Sequence, residues 1–478
     1  MKVAIIGGGI SGLAAAYELE LARKRGTDID WRLYESTSRL GGIIETTRHN
    51  GFILEGGPDG WVTEKPWARD LAIELGLESD LIYSNDVTRK TYIWKDSGNA
   101  GEMAGALQPI PDRMRLMVPE DLSTLDDSPL FSPSAKQAYA DELANAAQLR
   151  EAAPDTDESI ASFVRRHFGD EVLRTLAAPL LSGVFGGDVE RLSVRAVLPA
   201  FVAMEREHGS LIAALQSKTQ ANKPIFTTLR NGAASLTESL TAQLPPERLH
   251  LNRPALSLKR EGALWCLRAS KGVGKTKKHF HHILLATPAD TTRTLLHPLA
   301  PQTSTLIPQQ SSSAILVTFA WPAETASTLT IPQGFGFLVP QLSSGPWTLD
   351  SGPSLLACTF VDQKFPHRAP PGTRILRAFF GGASAEALAN ASDEAIANAA
   401  LTQLRNILGP IPGPTHTEVR RWPHSLPQYE VGHLDRIAEL ETRIAALGNL
   451  TLLGNSYRGV GIPDLIHAAR TAARTLTT

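Results

Sequence analysis

The chain opens MKVAIIGGGISG, an apolar stretch from Val3 to Ile6 that runs directly into a turn with Gly7, Gly9 and Gly12 in G-x-G-x-x-G spacing. That order requires a buried parallel strand, a tight turn and a helix lying close against the strand, so it commits the N-terminal region to a doubly wound α/β sheet. Gly7 permits the turn, Gly9 lets backbone approach a pyrophosphate, and Gly12 lets the helix beginning near Ser11 pack on the strand. The helix N-terminus then turns its N–H groups and partial positive charge toward phosphate. A second apolar strand, Trp31 to Tyr34, ends at Glu35, about twenty residues beyond the turn, where an acid accepts hydrogen bonds from an adenosine ribose. The simpler alternative is a glycine-rich turn in any α/β protein.

The next residues bear on which dinucleotide is bound. Glu35 is followed by Arg39, Gly41 and Gly42, and then by Gly51-Phe52-Ile53-Leu54-Glu55-Gly56-Gly57-Pro58. This E-x-x-x-R-x-G-G run resembles the flavoprotein oxidase superfamily of amine oxidases, phytoene desaturases and protoporphyrinogen oxidases, and nicotinamide dehydrogenases usually lack it. The resemblance implies FAD rather than NAD. Gly41 and Gly42 remove side chains where a tricyclic ring would lie on backbone, and Arg39 offers a cation for phosphate or, alternatively, a surface ion pair. Gly57 and Pro58 belong to the same implied cofactor set.

Toward the other end, Leu450 to Leu453 form an apolar strand before Gly454-Asn455-Ser456-Tyr457-Arg458-Gly459-Val460-Gly461-Ile462-Pro463. Proline suits a first helical turn, so a helix is expected from about Pro463, with Gly454, Gly461 and Ile462 at the cofactor. Pointed at the pyrimidine edge of a flavin, its N-terminus would stabilise the anion of the reduced ring without any catalytic side chain.

Composition sets limits. A chain of 478 residues implies two or three domains, and a net charge of −2 without a basic stripe argues against nucleic acid. No run of eighteen apolar residues occurs, and the chain starts with its first strand, which leads us to expect a cytoplasmic protein without a leader. Cys266 and Cys358 lack C-x-x-C spacing, so buried free thiols are expected and no metal. Gly272-Val273-Gly274-Lys275-Thr276 lacks the first glycine of a phosphate loop, which would be residue 269, an alanine, and reads as a hairpin turn. His279, His281 and His282 have no i, i+4 pair or partner carboxylate and read as a solvated basic strand edge. Leu125 to Pro129, near Pro133 and Pro154, reads as a mobile loop or domain edge.

Periodicity predicts helices over Ile160–Phe168, Val172–Leu181, Val194–Glu205, Ala233–Gln243 and Ala385–Ile407. Strands are predicted around Ala255–Leu258, Ile283–Ala286, Ala314–Phe319, Gly336–Pro340, Leu355–Val361 and Ile375–Phe380. No internal repeat is evident. The expected architecture is α/β, with a Rossmann-like FAD-binding domain assembled from discontinuous segments, a mixed β-sheet substrate domain and an inserted α-helical domain. The flavin domain takes residues 1–85, 225–300 and 425–478, the substrate domain 86–107 and 301–424, and the helical insert 108–215.

The inserts narrow the resemblance. Asp157 to Gly169, Pro179 to Asp188, Gly334 to Pro340, Phe365 to Pro370, and Trp422-Pro423 with Pro427-Gln428-Tyr429 and Gly432-His433 are similar to blocks of the protoporphyrinogen and coproporphyrinogen oxidases, in the same order over nearly the whole chain. The resemblance implies a porphyrinogen substrate oxidised in three rounds, molecular oxygen as acceptor, and hand-over of product to the next haem-pathway enzyme. Such a substrate needs an apolar cavity with cations at its rim. Candidate walls are Phe337, Leu338, Val339, Phe360 and Phe380, although for any one of them ordinary core packing is the commoner role, and Gly183 is a further candidate substrate contact. By resemblance to bacterial members Lys65 would anchor a propionate, or it is a solvated lysine at a helix start. The arginine of plant and animal members falls near Arg89 and Lys90. Leu107, Ile110, Met114, Leu116, Met117 and Val118 would form either an apolar surface for peripheral membrane contact or a core helix face.

No side chain is named as general base, since positioning and the cofactor carry such an oxidation. His433 reads as structural. The alternatives are an amine oxidase or carotenoid desaturase on the same scaffold, or a carrier that binds flavin or porphyrin without turnover. Amine oxidases typically carry a glutamate after the final glycine motif, where Asn455 follows Gly454 here, and no cysteine stands near enough to tether flavin.

Overall fold

Val3, Ala4 and Ile5 are fully buried, because their strand, Lys2–Ile6, is the middle of a five-stranded sheet that is covered on both faces. The computed structural model describes residues 1–96, 105–217, 224–271, 274–341 and 353–477. Contacts divide the chain into two compact units, one of Met1–Ser84, Pro224–Ser311 and Leu434–Thr478, the other of Asn85–Lys223 and Ser312–His433.

In the first unit the sheet order is Leu249–His250, Asp30–Tyr34, Lys2–Ile6, His282–Leu285 and Leu450–Leu452, all parallel. Alternation sorts the side chains into two cores. Val3, Ile5, Leu33 and Leu284 pack with helices Ile10–Lys24 and Ile462–Thr475, while Ala4, Ile6, Tyr34, Ile283 and Leu285 pack with Trp265, Leu267, Phe280 and Leu440. Strands buried on both faces need near-continuous apolar runs, which is what these segments have. The chain crosses from one side of Lys2–Ile6 to the other between its neighbours, so the glycine turn stands at the switch point where open α/β sheets bind ligands.

The second layer of this unit is an antiparallel sheet of Ala255–Glu261, Leu264–Lys271 and Gly274–Phe280. Gly274, Lys275 and Thr276 begin a strand, as a hairpin requires; Gly272 and Val273 lie outside the described residues. The histidines do not form one solvated edge. His281 accepts from the Lys2 N–H at 2.8 Å, and His282 is buried in the parallel sheet, 2.9 Å from Thr451 Oγ1, where burial pushes its pKa down to about 4.

The second unit holds a helical block and a seven-stranded mixed sheet. The sheet order is His416–Pro427, Ser311–Trp321, Arg374–Gly381, Ala357–Phe360, Gly336–Leu338, Thr91–Asp96 and Gly105–Pro109, with Gly336–Leu338 and Thr91–Asp96 parallel. Helix Asp393–Leu408 covers one face. The helix expected over Ala385–Ile407 is two, Gly382–Ala387 and Asp393–Leu408, because the Ser392 side chain caps the second by accepting from the Ala395 N–H. The helix expected over Val194–Glu205 is likewise split at Leu198, before Pro199, which has no N–H to continue it. Leu125–Pro129 is not a free loop: Leu125 and Leu130 are buried in the helical core beside a turn capped by Asp121. Nor do residues 107–118 form a helix. They run through short strands, with Met117 and Val118 buried and Leu116 exposed.

A charged network crosses the helical block. His167 is buried, with Nδ1 3.1 Å from Glu142 Oε1 and Nε2 3.1 Å from Glu205 Oε1. Burial alone would lower its pKa, but the hydrogen bonds and charges of the two carboxylates reverse this and hold it above the ordinary 6.5. A histidine whose folded pKa is raised stabilises fully below its unfolded pKa and loses that contribution as pH rises through the folded one. The thermal midpoint is therefore expected to fall as pH is raised from 6.5, by about 2–4 °C per kcal/mol lost, and His167→Gln should flatten the slope in calorimetric scans. An equal slope in both proteins would assign the pH dependence elsewhere.

Candidate functional site

The glycine turn is built by close backbone contacts. Gly7 has φ +108°, and a Cβ there would lie 2.2 Å from the Ala286 carbonyl oxygen; a Cβ on Gly12 would lie 1.9 Å from the Gly7 carbonyl oxygen. Both positions exclude any side chain. Gly9 differs: the nearest atom to a Cβ would be the Gly42 Cα at 3.9 Å, so the protein itself leaves room there. Its missing side chain keeps open the approach to the start of helix Ile10–Lys24, which no side chain caps. Ser11 is buried in the first turn. Unpaired N–H groups at an open helix N-terminus are an anion cradle, and that is the feature a pyrophosphate requires.

Glu35 is fixed beside this turn. Its Oε2 accepts from the Gly8 N–H at 2.7 Å, and Oε1 accepts from the Thr37 N–H at 2.8 Å and the Thr37 and Ser36 hydroxyls at 2.9 and 3.1 Å. Gly41 donates to the Gly8 carbonyl at 2.8 Å, which brings the second glycine pair against the turn. Arg39 is committed locally: its guanidinium donates to the carbonyls of Leu40, Gly42 and Ile44 and lies 3.4 Å from Glu45. It therefore braces the Gly41–Gly42 loop rather than projecting a cation. Gly57 is buried so close to Ile43 that a Cβ would fall 1.8 Å from its carbonyl oxygen, and half-buried Pro58 follows.

Sequence reasoning passed over Glu55. It is buried, accepts from the Ala233 N–H at 2.8 Å and from Thr46 Oγ1 at 2.6 Å, and so anchors the start of helix Ala234–Ala242 to the loop that carries Gly57. An acid directly before Gly-Gly was the available signal.

At the C-terminal motif, Gly454 has φ +121° and Gly461 is the residue before helix Ile462–Thr475, with Pro463 in the first turn and Ile462 buried. Lys65 reaches this point. Its ammonium donates to both oxygens of Asp464, at 2.8 and 2.7 Å, so it is not a free anchor for substrate but pairs with the first turn of the helix. Trp67 stacks on His467 one turn further, with centroids 4.2 Å apart. Tyr457 is buried with its pKa pushed up to about 12 by desolvation, which removes it from acid–base work near neutrality. His433 is buried and stacked on Tyr429 at 3.9 Å, a packing role.

In the second unit, Gly183 and strand Gly336–Leu338 meet: a Cβ on Gly183 would lie 3.3 Å from Leu338 Cδ2. Strand alternation separates the expected walls. Leu338 packs with the helical block, whereas Phe337, Val339, Phe360 and Phe380 are buried on the opposite side, in the core with helix Asp393–Leu408. Phe337 and Phe360 are ring neighbours there at 6.1 Å, which makes them core rather than cavity wall. Arg89 and Lys90 are exposed at the entry to Thr91–Asp96.

Comparison with known proteins bears directly on this arrangement. The model of the flavin containing amine oxidoreductase family matches residues 10–477. The chain belongs to this family. It is 32% identical to coproporphyrinogen III oxidase of Bacillus subtilis over 98% of this chain and 96% of that protein. It is 26% identical to the chloroplastic protoporphyrinogen oxidase 1 of Arabidopsis thaliana over 97% and 86%. Among solved structures, a protein of Exiguobacterium sp. named as a candidate protoporphyrinogen oxidase aligns with TM-score 0.84 at 31% identity, covering 100% of this chain and 98% of that one. A putrescine oxidase at 17% identity and TM-score 0.68 shares the fold.

The family's cofactor is FAD, and the open helix N-terminus at Gly9 with Glu35 fixed beside it fits an adenine dinucleotide. The two kinds of glycine can be told apart by substitution. Gly9→Val is expected to fold with a thermal midpoint near that of the flavin-free wild type but to retain no FAD after gel filtration. Gly12→Val, which has no room for its Cβ, should cost several kcal/mol, about the scale of severe overpacking, and fail to give a folded first unit. Full flavin retention by Gly9→Val would show that the turn binds something else.

Proposed function

We propose that this protein oxidises a porphyrinogen to the corresponding porphyrin in haem biosynthesis, with FAD as cofactor and molecular oxygen as terminal acceptor. The observation that carries this reading is the extent of the similarity. Relatives named as coproporphyrinogen III oxidases match at 26–32% identity along nearly the whole chain, through the helical block and the seven-stranded sheet as well as the dinucleotide region. Solved amine oxidases such as putrescine oxidase and cyclohexylamine oxidase align at 16–18% identity, which shows a shared fold.

Overall, loss of six hydrogens from the macrocycle would be balanced by reduction of three oxygen molecules to three of hydrogen peroxide. Bound FAD supplies the electron-accepting chemistry. The chain's part is binding and orientation: Gly9 and the first turn of Ile10–Lys24 would hold the pyrophosphate and Glu35 the ribose, and the fourteen-residue helix that Gly461 and Ile462 open would offer its N-terminal dipole to the electron-accepting ring. Leu338 and Gly183, on the helical side of the sheet, supply apolar surface for the macrocycle. Coproporphyrinogen III is the preferred substrate in this reading, with product passed to the next enzyme of the pathway and contact with a membrane no more than peripheral. Among the described residues no helix is long and apolar enough to cross a membrane.

Purified protein is expected to be yellow, to release intact FAD on denaturation, and to consume oxygen with coproporphyrinogen III faster than with protoporphyrinogen IX. Porphyrin fluorescence and peroxide should rise together. Binding of porphyrinogen without oxygen uptake would make it a carrier, and turnover of amines alone would return it to the amine oxidases.

Lys65 separates anchoring from bracing. The Lys65–Asp464 pair is partly exposed, and such pairs are worth about 1 kcal/mol or less. Lys65→Ala should therefore weaken FAD retention up to about fivefold while leaving the Michaelis constant of the flavin-saturated enzyme close to wild type. A raised Michaelis constant at full flavin content would instead place a substrate carboxylate on Lys65.

A further inference from the structure

The outer face of the three-stranded antiparallel sheet gathers side chains that no step above uses. Cys266 is paired directly with His279 on one neighbour and with Lys259 on the other, and Glu261 stands two residues beyond Lys259. Side chains alternate along a strand, so Glu261, Cys266, Lys277 and His279 project from one face while Trp265, Leu267 and Phe280 enter the core on the other. Glu261 Oε2 lies 2.8 Å from His279 Nε2, and Glu261 Oε1 lies 3.0 Å from Lys277 Nζ. The carboxylate, thiol and imidazole ligand atoms all fall within 4.8 Å of one another, and among the described residues this is the one such cluster.

A tetrahedral zinc ion bound at about 2.0 Å to nitrogen or oxygen and about 2.3 Å to sulfur sets its ligands about 3.3–3.6 Å apart, so a small rotation of two exposed side chains closes the set. The sulfur is at the floor, with Cys266 only 1% exposed, and Glu261 and His279 are at the rim, which leaves the outward position to water. One soft, one intermediate and one hard donor suit a borderline cation better than calcium or magnesium.

We propose that Glu261, Cys266 and His279 form a three-ligand site for zinc or a similar thiophilic divalent cation, which would staple the three strands together. Lys277 is its built-in competitor. Without metal its ammonium neutralises Glu261; on binding, that contact is released and the Cys266 proton leaves to solvent.

Equilibrium dialysis of the FAD-loaded protein against zinc chloride, with metal counted by mass spectrometry, tests the site. About one zinc per chain is expected at micromolar free metal. His279→Gln and Cys266→Ser should each weaken binding at least tenfold at unchanged flavin content. Lys277→Gln should tighten it severalfold, a direction that random surface binding does not produce. If Cys266→Ser misfolds, the exposed His279 and Lys277 variants decide alone. Absence of zinc at micromolar concentration, or affinity indifferent to His279 and Lys277, overturns the proposal.

Discussion

The contact on which the first unit depends is between two pieces of backbone, the Gly7 carbonyl and the Cα of Gly12. Because nothing larger than hydrogen fits between them, helix Ile10–Lys24 starts immediately above the end of strand Lys2–Ile6. That placement aims the helix N-terminus at the switch point, sets Gly9 where it borders open space, and brings Gly8 within reach of Glu35. The remaining parts are arranged around this junction. Gly41 reaches it through the Gly8 carbonyl, and Arg39 holds the loop that delivers Gly41 and Gly42.

Around that junction the buried charges are structural and satisfied. Glu55 serves a helix start, and Glu18 receives Arg470 at 2.7 Å and Arg474 at 3.1 Å. In the other unit Glu142 receives Ser210 and Leu211 as well as His167. A buried carboxylate that lost such partners would be costly, so each network restricts its elements to one arrangement. Burial keeps the Tyr457 hydroxyl protonated near neutrality, in keeping with an oxidation whose reactive group is the cofactor.

Local signals were legible in the sequence and cross-strand ones were not. The turn glycines, Glu35, and the helices at Ile160 and Pro463 depend on neighbours within a few residues, and they stand where their spacing puts them. The same spacing could not show that Lys65 meets Asp464, nearly four hundred residues away, or that Arg39 turns back on its own loop. Gly-Phe-Gly-Phe-Leu-Val-Pro is apolar on both sides of its strand, so composition could not tell which parity faces the helical block; the register does, and it chooses Leu338 over Phe337. Glu261, the carboxylate partner of His279, lies across a sheet rather than along a helix, so spacing in the sequence does not show it.

The threading of the first unit has a consequence for its biosynthesis. Strand Leu450–Leu452 extends the parallel sheet beside His282–Leu285, and helix Ile462–Thr475, tied by Arg470 and Arg474 to Glu18, covers the first helix of the same unit. While residues beyond 434 are still in the ribosome, the opening strand and its glycine turn lack this sheet edge and this cover. The nucleotide-binding unit is therefore completed only after the second unit has been made, and the nascent chain must hold an apolar strand and helix unfinished while the whole of that unit emerges.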